Sequence, residues 1–294
     1  MKLRSPKNTK LVFILLAGYI YAQFMWWTFL LIRYNPEKKW MVLGEGAVFM
    51  VFLGLGIYTI YRTIRHEIGL AKMQKNFLLS VTHELKTPVA AGKLFLQTLL
   101  RHDFDKAKKE ELLHKAVNEN DRLTALIDKV ILATTLDSHQ IPLTQHQHSL
   151  SAISEEICKT TTESTGAQHS WEINIQPGIN FTCDAESMRS IWQNLLENAI
   201  KYSPPQSLIQ ASLSQSGNKI ELSVSDQGSG IKKADLPFIF NKFYRSGNEE
   251  TRSAKGTGLG LFIVKHLVTL HHGQINYKAK TPAGSIFTVI FNVN

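Results

Sequence analysis

Cysteine is nearly absent: the 294 residues contain two, Cys158 and Cys183. They lie far apart and match neither a disulfide framework nor a metal-ligand spacing. That argues against a stapled secreted domain or a cysteine zinc site, and it fits a reducing compartment. Acidic residues are in deficit, with 24 Asp+Glu against 33 Lys+Arg and a formal net charge of +9. Such a balance suits nucleic acid or the basic flanks of a membrane protein. No basic patch is interleaved with aromatics, so nucleic acid is not expected as a partner. Glycines 44, 46, 54 and 56 form no G-x-x-x-G pair, so that helix-dimer signal is missing.

What is present begins with length: the chain has room for about two domains. Residues 1–10 form a basic tail with Lys2, Arg4, Lys7 and Lys10. Residues 11–32 then carry no charge, and as a helix they reach about 33 Å, enough to cross a bilayer. The run is too long for a signal peptide and lacks an A-x-A site. Residues 33–40 form a short extracytoplasmic loop, and 41–61 a second apolar span interrupted by Glu45. Trp26, Trp27 and Trp40 suit an interfacial aromatic belt. Glu45, one turn from the membrane edge, reads either as an interfacial group or as an intramembrane sensing group. We expect a multi-pass inner-membrane protein with both termini cytoplasmic. A loop of about eight residues is too small to fold as a sensor domain. Stimuli are therefore expected to act in the membrane, at its interface or through a membrane partner.

Residues 62–137 read as a helical hairpin. Leu78, Val81, Leu85, Pro88, Gly92 and Leu99 follow a heptad seam, and a second seam runs through Ala116, Asn120, Leu123, Ile127, Val130 and Thr134. Neither helix can bury its seam alone, so a homodimeric four-helix bundle is expected, with Asn120 fixing its register. His83 sits between Val81 and Leu85 at the outermost position, presented to solvent. Glu84 beside it can hold or deprotonate the imidazole, and Thr87 at i+4 shares the His83 face. Pro88 removes the donor for the Glu84 carbonyl, so a bend is expected there. A solvated helix face is the alternative reading of this pair.

Residues 138–148 lose periodicity and read as a linker in which His146 and His148 are solvated. Residues 149–294 mix helices with mostly antiparallel strands, the pattern of an α+β two-layer sandwich. Asn194, Asn198 and Lys201 share one helix face, where two amide oxygens can take Mg²⁺ and the lysine can meet phosphate. Asp226 ends a strand and is followed by Gly228 and Gly230; its carboxylate can accept from an adenine amino group. Phe238 to Arg245 supplies aromatics and a cation. Gly256, Gly258 and Gly260 open a helix whose N-terminus favours phosphate. Each segment alone is weak, but their order and spacing together are specific.

At this point residues 70–294 closely resemble the transmitter region of a membrane sensor histidine kinase from a bacterial two-component system. His83 to Pro88 resembles the phosphoacceptor box, Asn194 to Ser203 the N box and Asp226 to Gly230 the first glycine box. Phe238 to Arg245 resembles the F box, Gly256 to Gly260 the second glycine box and Gly284 to Phe287 the closing strand motif. The resemblance implies a dimerisation and phosphotransfer domain followed by an ATP-binding domain of the Bergerat fold. It also implies a lid between about Ile231 and Gly256, Tyr202 near the adenine and Arg245 near the γ-phosphate. Lys255 departs from the pattern, where glycine is often found.

The ATP-hydrolysing relatives of this fold, type II topoisomerases and heat-shock chaperones, carry a water-activating glutamate where Asn194 stands. Asparagine is no base, so the attacking group should be His83, with Glu84 as base or orienter. The phosphoryl group would pass to an aspartate of a response regulator. The H-E-x-x-T pattern further implies that Thr87 positions a water for dephosphorylating that regulator. Glu197, offset by one residue from Asn198, reads as structural. Two alternatives stand beside this reading: a degenerate membrane scaffold of the same fold, and an ATPase or chaperone. Nucleotide binding without phosphohistidine would favour the first, and phosphate release without His83 the second.

Overall fold

The computed structural model describes residues 6–34, 36–137, 143–245 and 256–293, with residues 6–14 as backbone. It divides into two compact units, 1–72 and 73–294. In the first, helix α1 (Pro6–Tyr34) is followed by a 3-10 turn (Pro36–Lys38) and by the start of α2 (Lys39–Arg101). Both helices are long and apolar enough to cross a membrane, and their apolar windows are unburied. They meet through Phe24 and Phe49, whose rings stack 4.7 Å apart. Gly46 faces the Phe24 ring and Thr28, where a Cβ would make ordinary contact at 3.8 Å. Glu45 is exposed on this unit.

Helix α2 runs on through Pro88, the position where a bend is expected, and the proline is buried within it. The Thr87 hydroxyl donates to the His83 carbonyl at 3.1 Å, adding a side-chain bond to the turn that precedes the proline. No separate folded module lies between the second apolar run and His83, because one helical element spans both.

The second unit starts with the hairpin of α2 and α3 (Lys106–Asp137). The inward stripe of α3 runs through Leu112, Ala116, Glu119, Leu123 and Leu126. Asn120, Ile127 and Thr134, read from sequence as seam residues, are exposed on the single chain. A helix in a four-helix bundle needs two apolar faces, one for its own hairpin and one for the second copy, and the sequence seam merged them. Leu78, Leu94, Val117 and Ile131 accordingly stay exposed, at 63%, 61%, 54% and 56%.

Strand β1 (His146–Ser149) begins inside the stretch read as a linker. It pairs antiparallel with β3 (Asn180–Cys183), His148 opposite Phe181. A four-residue strand with no alternating apolar pattern leaves no period-2 signal. Ser149 caps α4 (Leu150–Glu163), its hydroxyl accepting from the Ala152 N–H. The main sheet has the order β2-β4-β5-β7-β6. Its strands are β2 (Ser170–Ile175), β4 (Leu208–Ser216), β5 (Lys219–Ser225), β6 (Gln274–Ala279) and β7 (Ser285–Asn292). Only the β2–β4 pair is parallel.

One face of each central strand is apolar by alternation. Ile209, Ala211 and Leu213 of β4, Ile220 and Leu222 of β5, and Phe287, Val289 and Phe291 of β7 point into the core. Helices α4, α5 (Ala185–Tyr202) and α6 (Gly260–Leu270) cover that face, giving the expected α+β two-layer sandwich. Trp192 lies fully buried at the centre, its Nε1–H donating to Ser154 Oγ at 2.8 Å, and that hydroxyl donates to the Leu150 carbonyl. Such a satisfied polar link in a packed interior lets a tryptophan fill the core without an orphaned N–H.

Candidate active site

Helix α5 presents the N-box residues because its N-terminus is held on two sides. Asp184 caps it, Oδ1 accepting from the Ser187 N–H at 2.8 Å. The Asp184 N–H in turn donates to His271 Nε2 at 3.1 Å, while His271 Nδ1 faces the Leu267 carbonyl at 2.8 Å. With one ring nitrogen accepting, the other must donate, so the buried imidazole is neutral. Burial holds its pKa below the ordinary histidine range.

Asn194 is 4% exposed and its Nδ2 donates to the Ser190 carbonyl at 2.8 Å. Its Oδ1 is buried and has no hydrogen-bond partner, and Asn198 Nδ2 is likewise buried and unpaired. Gly260 sits against this oxygen: a Cβ there would lie 3.0 Å from it. A buried, unpaired carbonyl oxygen is costly unless something completes it, and a hard cation would. Helix α6 has no side-chain N-cap, so its first N–H groups are available to an anion. Lys201 Nζ lies 4.9 Å from the Tyr202 ring and against Gly256, and Tyr202 is half exposed.

Asp226 is buried at the end of β5. Its Oδ1 accepts from the Gly228 N–H at 2.7 Å and from the Ser285 N–H at 3.1 Å. Burial raises its pKa against those donors and the nearby Lys280 ammonium. Gly228 is required by close approach, since a Cβ would stand 2.5 Å from the Tyr202 carbonyl oxygen. Gly230 follows at φ 68°. Gly284 and Ser285 were read only as a strand motif, yet they form the seat of Asp226: Gly284 leaves no room for a Cβ against the Asp226 carbonyl. The G-S-I-F string was the signal that pointed to them.

Between Ile231 and Gly256 the described part, to Arg245, is a series of turns such as Phe238 N–H to the Asp235 carbonyl at 2.9 Å. Lys255 and the rest of 246–255 fall outside the described residues. Gly258 has φ 73°, and a Cβ there would meet the Tyr244 carbonyl at 2.8 Å.

On the hairpin, His83 is exposed and Glu84 is half buried with Oε1 lacking a hydrogen-bond partner. One cavity of 1600 Å³ joins the two regions. His83, Glu84 and Thr87 line one side. Asn194, Asn198, Lys201 and Tyr202 line the other, with Arg245, Gly256, Gly258 and Gly260 completing it. Asp226, Gly228 and Gly230 do not line it; Gly228 packs against the Tyr202 carbonyl instead. Three further contacts join the hairpin to the ATPase domain. Arg245 donates to Ser80 Oγ at 2.8 Å, Phe77 and Phe243 lie 4.0 Å apart, and Lys129 pairs with Glu197 at 2.8 Å. Glu197, read as structural, is thus a docking residue. None of these pairs has a local sequence signal, because the partners are distant in the chain.

An exposed histidine on the helical hairpin and the α5 and α6 residues of an α+β domain thus line one cavity. Residues 73–139 match the His Kinase A (phospho-acceptor) domain, and residues 183–294 match the histidine kinase-, DNA gyrase B- and HSP90-like ATPase family. The chain therefore carries the phospho-acceptor and ATPase domains of histidine kinases, and it is similar to sensor histidine kinases across both.

Among relatives, it is 32% identical over 217 residues to the sensor-like histidine kinase SenX3 of Mycolicibacterium smegmatis, covering 74% of this chain and 56% of SenX3. It is 29% identical to the phosphate regulon sensor protein PhoR of Pseudomonas aeruginosa, covering 79% of this chain and 53% of PhoR. The chain spans about half the length of the curated relatives it matches. The solved histidine kinase AdeS of Acinetobacter baumannii has the same fold, with TM-score 0.51 and 24% identity over 72% of this chain and 98% of that one. Full-length ShkA in complex with AMPPNP aligns with TM-score 0.53 and 21% identity over 74% of this chain and 45% of that one.

Proposed function

We propose that this chain is a homodimeric inner-membrane sensor histidine kinase. It uses ATP to phosphorylate His83 and passes the phosphoryl group to an aspartate of a response regulator. The observation that carries this reading is the single cavity lined by both His83 and the N-box and glycine-box residues. The chemistry follows from what lines it. A neutral imidazole nitrogen attacks the γ-phosphorus, the bond to the β–γ bridging oxygen breaks with its electron pair on ADP, and the ring proton moves to Glu84. Lys201 and Arg245 supply positive charge along the phosphates, and the uncapped α6 N-terminus supplies N–H donors. Asn194 and Asn198 would hold Mg²⁺, which offsets phosphate charge when bound; the unpaired Asn194 Oδ1 fits that role.

Asn194 offers no base for water, which favours transfer over hydrolysis. Thr87 lines the cavity one turn from His83, where it can orient a water during dephosphorylation of the regulator. Two apolar helices support membrane insertion, and the unbroken α2 supports signal entry from the membrane, its interface or a membrane partner. His83→Gln is expected to abolish ATP-dependent labelling of the purified chain; label retained at wild-type level would refute the assignment. Replacing both spans with unrelated ones should abolish the response to stimulus, and a preserved response would refute membrane sensing.

A further inference from the structure

We infer that Lys280 is a positioning residue of the nucleotide site: from the sheet face opposite the helices, it holds both segments that seat the Asp226 carboxylate. This rests on the kinase reading above, with Asp226 as the acceptor for an adenine amino group. Lys280 follows β6 and opens the turn that leads to Gly284 and Ser285. Its backbone N–H closes that turn on the Gly284 carbonyl at 3.2 Å. Its ammonium crosses to β5 and β4, donating to Ser225 Oγ at 2.8 Å and to Gln210 Oε1 at 2.9 Å.

Ser225 and Gln210 are register partners, and so are Gln210 and Glu172. The Gln210 amide donates onward to Glu172 Oε2 at 2.7 Å, so one lateral row across β2, β4 and β5 ends on the lysine. By alternation this row faces away from the core side chains Ile209, Ala211 and Val224. Ser225 immediately precedes Asp226. One residue is thereby bonded to both sides of the Asp226 seat, to β5 through Ser225 and to the start of β7 through the turn. Its positive charge also favours the ionised carboxylate, against the burial that disfavours it. Among the described residues Lys280 is the charged group that acts on Asp226. The titratable side chains nearest in sequence to its seat are Lys201 and Tyr202 on α5 and Tyr277 and Lys278 on β6, while β7 has none.

The test is isothermal titration of the purified full chain with ADP, from about pH 5 to about pH 8. Lys280→Met should weaken ADP binding about three- to tenfold near neutral pH, the scale of one lost side-chain hydrogen bond. Without the ammonium the carboxylate keeps its proton to higher pH, so on acidification this variant should lose affinity at higher pH than wild type. Lys280→Gln, which keeps a donor without the charge, should show the same pH shift with a smaller loss near neutrality. Lys280→Arg, which keeps both, should restore most of the affinity. An unshifted pH profile in the Met and Gln variants overturns the inference, as does ADP affinity within about twofold of wild type in Lys280→Met or a loss in Lys280→Arg as large as in Lys280→Met.

A double-mutant cycle separates positioning from general damage. In the Asp226→Asn background, Lys280→Met should change ADP affinity by less than about twofold, because the group it serves is already neutral. A loss as large as in the wild-type background would mean that Lys280 acts elsewhere and would overturn the inference. If Asp226→Asn itself binds ADP as wild type does, the base-acceptor reading fails and takes this one with it. If Asp226→Asn is weakened and Lys280→Met is not, the role of Lys280 fails alone.

Discussion

Asp226 and Ser285 hold each other through a reciprocal pair of hydrogen bonds. The Asp226 N–H donates to the Ser285 carbonyl at 2.9 Å, and the Ser285 N–H donates to Asp226 Oδ1 at 3.1 Å. The end of β5 is thereby locked to the start of β7, and the carboxylate is aimed before any nucleotide arrives. Preorganisation of this kind reduces the ordering cost of binding.

Replacing Asp226 by Asn should weaken nucleotide binding about 10- to 100-fold, the loss expected when a charged acceptor is neutralised. Isothermal titration with ATP or ADP measures it. Because burial raises the Asp226 pKa above the ordinary aspartate value, wild-type affinity should fall on acidification before a solvent-exposed aspartate would titrate. The Asn variant should lose that pH dependence.

Burial keeps His271 neutral in the fold, with its pKa below the ordinary 6.5. The unfolded chain then binds a proton at higher pH than the folded one. Stability attributable to this residue is therefore complete above about pH 6.5 and lost as pH falls below it. The urea midpoint of the 73–294 unit should drop between pH 7.5 and 5.5, and less so in His271→Gln.

Ser154→Ala should leave the buried Trp192 N–H unpaired and cost about 1–3 kcal/mol. Trp192→Ala should cost about 3–5 kcal/mol through the cavity it leaves. Urea denaturation followed by circular dichroism checks both, and equal midpoints for Ser154→Ala and wild type would contradict the hydrogen bond.

Gly258→Ala should impair nucleotide binding without unfolding the sheet. A Cβ would force a side chain into a left-handed conformation and against the Tyr244 carbonyl. Tryptophan fluorescence and nucleotide titration together separate the two effects.

Cys158 and Cys183 are both buried, and burial pushes their thiols up to about 12 and about 11. Neither should react with a maleimide at pH 7.5 in the folded chain, while both should in urea. Mass spectrometry of the labelled protein checks this.

The motifs of the nucleotide site were legible as residues because each is local. An i, i+4 pair of asparagines, a carboxylate at a strand end and glycines opening a helix are spelled by contiguous chain. So were the two apolar runs and the exposed position of His83, since hydrophobic periodicity reports which face is buried. Periodicity does not say what buries it. That is why the α3 stripe was placed on Asn120 and Ile127 when the hairpin buries Glu119 and Leu126. It is also why β1, too short and too polar to alternate, went unseen.

Only tertiary structure decided that Ser285 seats Asp226 and that His271 holds the start of α5. It also decided that Glu197, Arg245 and Phe243 dock the ATP domain against Lys129, Ser80 and Phe77. Those partners are separated by 59 to 166 positions of chain, as in the 68 and 165 of Lys129–Glu197 and Ser80–Arg245. Contacts at such separations depend on how two folded surfaces meet, which no single segment of sequence encodes.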